Sequence, residues 1–354
     1  MDVRKILLGL GLGLLLLLGN GLAVAADFYK GKTAYDSGDF KAALVEVRPL
    51  AEQGNADAQY LLGLMYSYGE GVLKNWETAL KWNTKSAENG NIRAQYRLGF
   101  HYYWGHSDVG WSYDNGDKDK ALKWFTKAAK QGDASSQVYL AGFFMRENDL
   151  TPLNYKTAIK WYTKAAEQGD ASAQSQLGIM YSNGMGVTKS DKSAVKWFTK
   201  AAEQGWPEAQ NKLGSMYANG MGVAENDKLA LEWYTKAVGI GDYPHIPAVF
   251  NLGVMYEKGE GVLENNKTAL KWYVKAAAMD HAQAQHRLGL FYEAGKGVQA
   301  DIKRAYMWFS IASYNGHKPS SDNKDMVAKK LNTSQLNEAQ KMSTNCLESF
   351  YTDC

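Results

Sequence analysis

One segment of the chain occurs twice in nearly the same form. The first copy is QLGIMYSNGMGV at residues 176–187, and the second is KLGSMYANGMGV at residues 212–223. Their starts are 36 residues apart, a period typical of solenoid proteins in which each repeat is one small structural unit. Because such a unit cannot bury its apolar side alone, the repetition predicts an array of stacked units.

Tryptophan extends this register through most of the chain. It recurs at Trp82, Trp124, Trp161, Trp197, Trp233, Trp272 and Trp308. The successive gaps are 42, 37, 36, 36, 39 and 36 residues. A glycine follows eight residues after each tryptophan, except that Asp280 takes this position after Trp272. The spacing predicts about seven repeats between residues 55 and 316.

Each repeat has the periodicity of two short amphipathic helices. Apolar and small residues recur at three- and four-residue steps, both in residues 58–69 and around Trp82, as expected for helices with one buried face. A GxGV segment follows the first helix of five repeats. We expect its first glycine to end the helix in the left-handed conformation and its valine to anchor the loop. The predicted fold is therefore all-α.

The N-terminus has the pattern of an export signal. Arg4 and Lys5 precede an apolar and glycine run over residues 6–18, which is too short to span a membrane as a helix. Small residues at 23–26 suit cleavage before Ala26 or Asp27. Residues 1–26 are predicted to be a signal peptide, with the mature chain soluble in the periplasm or secreted. The alternative is an uncleaved anchor helix that extends through Ala26.

Charge gives little indication of a partner. Lys and Arg number 40 and Asp and Glu number 37, a net charge of +3, and both signs are scattered through every segment. This balance predicts neither nucleic-acid binding nor an acidic ligand.

The repeats resemble the Sel-one-like repeat of the tetratricopeptide superfamily. One copy carries the whole pattern at Ala173, Leu177, Gly178, Tyr181, Gly184, Gly186, Val187, Ala194, Trp197, Ala201, Ala202 and Gly205. Two repeats depart from it: residues 133–169 have Ala141 for the glycine and RENDLTPLN for the loop, and residues 91–132 have the enlarged loop GHSDVGWSYDNGDKD. The resemblance implies a right-handed α-α superhelix that serves as a non-catalytic protein-interaction scaffold.

The ends of the array are predicted to be capped, because terminal repeats must cover an apolar face. Residues 27–54 resemble the degenerate first helix pair that opens such arrays. Residues 317–354 are predicted to form a capping helix and tail, with the helix over 333–350 and Thr333 or Ser334 as its N-cap. Cys346 and Cys354 lie in this tail, and in an exported chain we expect them to form a disulfide. Free or intermolecular thiols are the alternative.

Motifs for catalysis or metal binding are scarce. The six histidines show no HExxH spacing, and the sequence contains no GxSxG motif. We therefore predict no enzyme activity, no cofactor and no metal site. Hydrolysis of β-lactams is a less favoured alternative, since the cysteine-rich secreted relatives linked to it carry a cysteine pair in each repeat, and this chain does not.

The resemblance also implies where a partner binds, because in such arrays the first helix of each pair lines a concave groove. In this groove the N-terminal repeats present mainly aromatic residues, whereas the middle repeats present serine and asparagine. Aromatic side chains are common anchors of binding surfaces. The predicted peptide- or protein-binding residues are Tyr60, Tyr68, Tyr96, Arg97, Phe100, Tyr103, Trp104 and Trp111. Two alternatives stay open: the rings only fill space between helices, or they bind glycan or peptidoglycan fragments.

Overall fold

The computed structural model describes residues 26–107, 110–111, 116–146, 151–239, 244–352 and 354. It divides into two compact units, Met1–Ala128 and Ala129–Cys354, here called unit 1 and unit 2. The helices of unit 1 are α1 (Phe28–Asp36), α2 (Phe40–Glu52), α3 (Ala56–Tyr68), α4 (Trp76–Glu88), α5 (Ile92–Trp104) and α6 (Lys118–Lys130), whose last two residues pass into unit 2. A short antiparallel ladder, β1 (His106–Ser107) with β2 (Gly110–Trp111), lies in the enlarged loop.

Unit 2 continues the same alternation of first and second helices. Its helices are α7 (Ala134–Arg146), α8 (Pro152–Glu167), α9 (Ala171–Asn183), α10 (Asp191–Glu203), α11 (Pro207–Ala218), α12 (Asp227–Val238), α13 (Ile246–Lys258), α14 (Asn266–Ala277), α15 (Ala282–Ala294), α16 (Ile302–Tyr314), α17 (Pro319–Ala328) and α18 (Thr333–Glu348). Along the repeats of unit 2, consecutive helices pack on each other from α7 to α16, and both α17 and α18 pack on α16. The predicted all-α fold of stacked helix pairs is confirmed.

In most repeats a glycine on the first helix sets how closely the two helices of a pair approach; α7 has Ala141 at this position. Gly178 of α9 packs directly on the ring of Phe198 of α10, so that a Cβ atom at Gly178 would lie 2.5 Å from ring carbon Cδ1. Gly289 packs in the same way on Phe309. In these pairs the aromatic residue that follows the repeat tryptophan therefore occupies the space that a missing side chain leaves.

The two glycines of the GxGV loop have different roles. The first, such as Gly184 with φ 70°, ends the first helix in the left-handed conformation. The second, Gly186 with φ 73°, packs against the start of the preceding second helix, where a Cβ atom would lie 2.7 Å from the carbonyl carbon of Tyr155. The loop thus joins neighbouring repeats, a role that the sequence analysis did not assign.

A buried glutamine also joins neighbouring repeats. The side-chain Nε2 of Gln174 on α9 donates to the backbone carbonyl of Ala166 at the end of α8, over 3.1 Å. Gln95, Gln210 and Gln285 make the equivalent bond to the preceding second helix. Since a buried amide must find partners, this bond specifies how each repeat is placed on the one before it.

The C-terminal end contains two helices, α17 and α18, where the sequence analysis predicted one. Pro319 begins α17 at a position where proline is favoured. Asn332 caps α18 in a reciprocal bond pair with Gln335, so the prediction of Thr333 or Ser334 as the N-cap was wrong by one or two residues. Cys346 and Cys354 are joined in a disulfide with their Cα atoms 5.0 Å apart.

The predicted signal peptide lies almost wholly outside the described residues, which begin at Ala26. Among the helices that the structure describes, none has the length and apolar content needed to cross a bilayer.

Candidate functional site

The predicted binding residues lie mainly on α3 and α5, the first helices of the two complete repeats in unit 1. We define the aromatic face as the predicted residues on these two helices: Tyr60, Tyr68, Tyr96, Arg97, Phe100, Tyr103 and Trp104. Helical periodicity explains the grouping, because positions 96, 100, 103 and 104 follow three- and four-residue steps. Tyr68 is exposed, and the other six side chains are half-buried.

The rings of α5 form a connected series. Phe100 lies between Tyr96 and Trp104, with ring centroids 6.2 and 6.0 Å away. Tyr103 contacts Trp104 edge-on at 5.3 Å. The series is supported from below by Phe125 of α6, whose ring lies 6.1 Å from Tyr96 and 6.4 Å from Tyr103. These rings therefore both pack on the second helix and keep part of their surface accessible.

Tyr68 and Arg97 connect the two first helices. Tyr68 at the C-terminal end of α3 is 60% exposed, and the guanidinium of Arg97 on α5 lies 5.6 Å from its ring centroid, within cation–π range. The Nε atom of Arg97 is buried and has no hydrogen-bond partner among the described residues. An exposed ring beside a guanidinium is a suitable anchor for a polar and aromatic ligand.

The remaining predicted residues lie apart from this series. Tyr60 packs against the small cluster that contains Ala87, Ala94 and Leu98, so much of its ring supports the core. The backbone of Trp111 belongs to β2, but its side chain lies outside the described part of the chain. Gly116, at the end of the enlarged loop, approaches the carbonyl of Tyr103, where a Cβ atom would lie 2.5 Å away. The loop thus returns close to the C-terminal end of α5.

The sequence analysis did not identify Asn83 of α4, which faces Gly63 of α3. In the other repeats this position, directly after the repeat tryptophan, holds Phe or Tyr. Asn83 is 2% exposed, and its Oδ1 atom is buried with no hydrogen-bond partner among the described residues. The sequence could have revealed Asn83, since it is the one polar residue at a repeat position that is otherwise aromatic.

The equivalent position shows where Asn83 points. In unit 2 the hydroxyl of Tyr273 on α14 reaches Glu257 on α13, at 2.6 Å. Glu257 is four residues after the repeat glycine Gly253, the position that the predicted binding residue Tyr103 takes relative to Gly99. A side chain at position 83 is therefore directed from the second helix towards the first-helix side of its own repeat.

First-helix positions in unit 2 are polar, and several bind each other. Glu257 accepts from Tyr273 and lies 3.5 Å from Arg287 and 3.6 Å from Lys296. Asn251 donates to Asn211 over 2.9 Å. We call this side of unit 2 the polar face. Its polar side chains thus bind each other through hydrogen bonds and ion pairs.

A serine and two histidines, residue types that occur in catalytic sites, lie together near the C-terminal end of unit 2. The hydroxyl of Ser320 lies 2.9 Å from Nδ1 of His286 and 2.8 Å from Nδ1 of His317. Burial, with the nearby His317 and Arg287, lowers the pKa of His286 to about 4. Ser320 is completely buried, so this cluster bridges α15 and α17 and does not present a nucleophile to solvent.

Comparison with known proteins gives a consistent result. The Sel1 repeat profile matches residues 56–91, 92–133, 134–170, 171–206, 207–241, 246–281 and 282–317. A crystal structure of a Sel1 repeat protein from Oxalobacter formigenes is similar over 71% of this chain and 97% of that chain, with 32% identity and a TM-score of 0.59.

A protective antigen present in uropathogenic Escherichia coli strains, which displays an SLR fold, is similar over 92% of this chain and 95% of its own, with 26% identity and a TM-score of 0.47. Comparison with curated protein sequences gives no significant match.

Proposed function

The chain belongs to the Sel1 repeat family, whose members are generally protein-interaction scaffolds, and from this premise we propose that the aromatic face of unit 1 binds a peptide or protein segment. The proposal includes no catalytic step. The observation that supports it most directly is the exposed ring of Tyr68 with the Arg97 guanidinium within cation–π range of it.

The energetics favour a ligand at this surface. Partly exposed rings gain free energy when a partner removes them from water, and aromatic residues with arginine dominate the binding energy of many interfaces. A buried amide oxygen without a partner is unfavourable, and Asn83 directs one towards this side of its repeat. This oxygen lies buried against Gly63, so the surface itself offers a partner aromatic contact and the Arg97 guanidinium.

We further propose that the protein acts in the bacterial cell envelope. This rests on the export signal predicted over residues 1–26. Signal-peptide cleavage is tested by N-terminal sequencing of the protein recovered from a periplasmic extract, where Ala26 or Asp27 is the expected first residue. Recovery of the intact N-terminus would contradict this part of the proposal.

The binding proposal is tested by affinity capture from that extract with two variants. Tyr96→Ala combined with Trp104→Ala removes two rings of the series, and Tyr68→Ala combined with Arg97→Gln removes the exposed pair. Both are expected to lose the captured partner. The second variant matters because its tyrosine is mostly exposed, so its loss does not open the core.

Tyr314→Ala is the matched control, since Tyr314 is also an exposed tyrosine, at 78%, but lies on α16 of unit 2. It is expected to capture the partner as the unmodified chain does. Helical content by circular dichroism identifies a variant that has unfolded. Full capture by a folded Tyr68→Ala, Arg97→Gln variant would contradict the proposal, and capture of peptidoglycan fragments in place of protein would favour the glycan alternative.

A further inference from the structure

Lysines that are scattered in the sequence lie on one side of the second helices in unit 2. On α8, α10, α12 and α14, three positions can be counted from the repeat tryptophan: five before, one before and three after. Eleven of these twelve positions hold lysine, and Glu232 holds the twelfth. On α10 the three are Lys192, Lys196 and Lys200. We call these positions the lysine face.

Helix geometry places these lysines on the outer side of each helix. Residues four apart lie on the same side, and all eleven lysines are exposed. The opposite side of α10 carries Ala194, Phe198 and Ala201, which are buried. Since the same positions are buried on α8, α12 and α14, the four sets of lysines point away from the core in the same sense.

The lysine face has few opposing charges. Its eleven lysines form no ion pair with any residue that the structure describes. Exposed acidic residues on the same side are Glu232 and, at the ends of α8 and α10, Glu167 and Glu203. Like charges four residues apart destabilise a helix. No described carboxylate pairs with these lysines, although Lys164, Lys200, Lys236 and Lys275 each lie over the ring of the repeat tryptophan on their own helix.

From this arrangement we propose that the lysine face of unit 2 binds the surface of an anionic lipid bilayer. Each lysine set extends over about 12 Å of helix axis, and four helices repeat it, so the positive charge covers an area. A linear polyanion can follow one row of such an array, whereas a bilayer contacts all of it. None of the twelve positions holds arginine, the residue that binds individual phosphate groups through its planar fork.

Nearby apolar groups also suit a bilayer surface. Leu153, at the start of α8, is 71% exposed, and Val274 on α14 is 44% exposed. The ammonium of Lys236 lies 4.2 Å from the ring of Trp233, and Lys200 lies 4.8 Å from Trp197. Tryptophan with lysine is a common combination where protein meets lipid headgroups. This inference is independent of the function proposed for unit 1.

The test measures sedimentation of the full chain with two kinds of vesicle: phosphatidylcholine alone, and an equimolar mixture of phosphatidylcholine and phosphatidylglycerol. The variant changes Lys192, Lys196 and Lys200 to Gln. Because a lysine close to an anionic leaflet contributes roughly a factor of five in partitioning, the preference for the anionic vesicles is expected to fall by about 100-fold. Raised salt should weaken it for the unmodified chain.

Two further variants control for charge and position. Changing the same three lysines to Arg keeps the charge and should keep most of the preference. Changing Lys318, Lys329 and Lys341 to Gln alters net charge equally, but these exposed lysines belong to the C-terminal helices of unit 2. The apolar N-terminal run is the same in all variants, so differences between them report on unit 2.

The proposal fails if the unmodified chain shows no preference for anionic vesicles, or if the two Gln variants lose equal amounts of binding. It also fails if a short double-stranded DNA, added at the same phosphate concentration, displaces the protein from the vesicles and binds it with the same dependence on Lys192, Lys196 and Lys200. That result would assign the lysine face to a linear polyanion.

Discussion

The aromatic face of unit 1 and the polar face of unit 2 are built from equivalent positions of the same repeat. On the polar face, Glu257 binds Tyr273, Arg287 and Lys296. On the aromatic face, Tyr68 stays exposed and the Nε atom of Arg97 has no partner among the described residues. The polar groups of the polar face thus bind each other, whereas the aromatic face keeps an exposed ring and a buried Nε atom for which the described residues supply no partner.

In this repeat, the positions that pack the two helices together differ from the positions that are proposed to bind a partner. The buried positions are nearly constant, with a glycine on the first helix and an aromatic ring on the second. The first-helix positions beside that glycine vary freely, because they do not contribute to this contact. Asn83 is the point where the two roles meet, since a packing position holds a polar side chain. Four predictions test this separation.

The largest effect is expected when the shared packing is disturbed. Gly178→Ala places a methyl group 2.5 Å from Phe198, and overpacking of this kind destabilises by about 3 kcal/mol. Gly63→Ala, its equivalent in unit 1, meets the end of the Asn83 side chain, which can move, so a smaller loss is expected. The measurement is chemical unfolding followed by circular dichroism.

Gly142→Ala is the matched control for these variants. A Cβ atom there has as its nearest neighbour the Tyr162 hydroxyl, at 3.8 Å. Replacing this helical glycine should stabilise the protein by about 0.5–1 kcal/mol. Equal destabilisation by Gly178→Ala and Gly142→Ala would show that the close ring contact does not limit the repeat.

The next effect concerns the C-terminal end of unit 2, which has a covalent link that the start of unit 1 lacks. The disulfide holds Tyr351 where its hydroxyl binds Asp280 and Asn315. Closing a loop of this length stabilises by about 2–3 kcal/mol. Cys346→Ser with Cys354→Ser should therefore lower the thermal midpoint, and reductant should lower it only in the unmodified chain. An unchanged midpoint in both experiments would contradict the prediction.

Asn83→Phe places an aromatic ring at position 83, as Phe198 does at the equivalent position of unit 2. Removing an amide whose oxygen has no partner among the described residues, and burying a ring, should stabilise the protein by about 1–2 kcal/mol. The same variant should weaken partner capture by the aromatic face. Stabilisation without any loss of capture would indicate that Asn83 has no part in recognition, whereas destabilisation would show that the pocket at Gly63 does not admit a ring.

The smallest effect is a pH dependence that belongs to the polar face. Because the folded-state pKa of His286 is about 4 and the unfolded value is near 6.5, the unfolded state binds more protons between these values. The contribution of neutral His286 to stability is therefore complete above pH 6.5 and is lost as the pH falls towards 4. Thermal midpoints measured across this range should fall less steeply for His286→Asn. Parallel curves would contradict this assignment.

Much of the fold could be predicted from the sequence because the residues that pack each helix pair lie within one repeat and recur in the next. The spacing of Trp161, Trp197 and Trp233, the repeat glycines and the GxGV loops each require a particular backbone or contact, and each recurs with one period. The aromatic face could be predicted in outline for the same reason, since residues three and four apart on one helix share a side. The exported location remains a prediction, because residues 1–25 lie outside the described structure.

The helix pair, its repetition and the identity of the residues on each face follow from the amino-acid sequence. Which polar groups find a hydrogen-bond partner became visible only in the folded chain: Glu257 accepts from Tyr273, whereas Arg97 Nε and Asn83 Oδ1 have no partner among the described residues. Folding also brought lysines about 36 residues apart onto one outer side, although the net charge of +3 gave no sign of it. Hydrogen-bond pairing and the grouping of surface charges depend on distances between helices, and the amino-acid sequence does not give these distances.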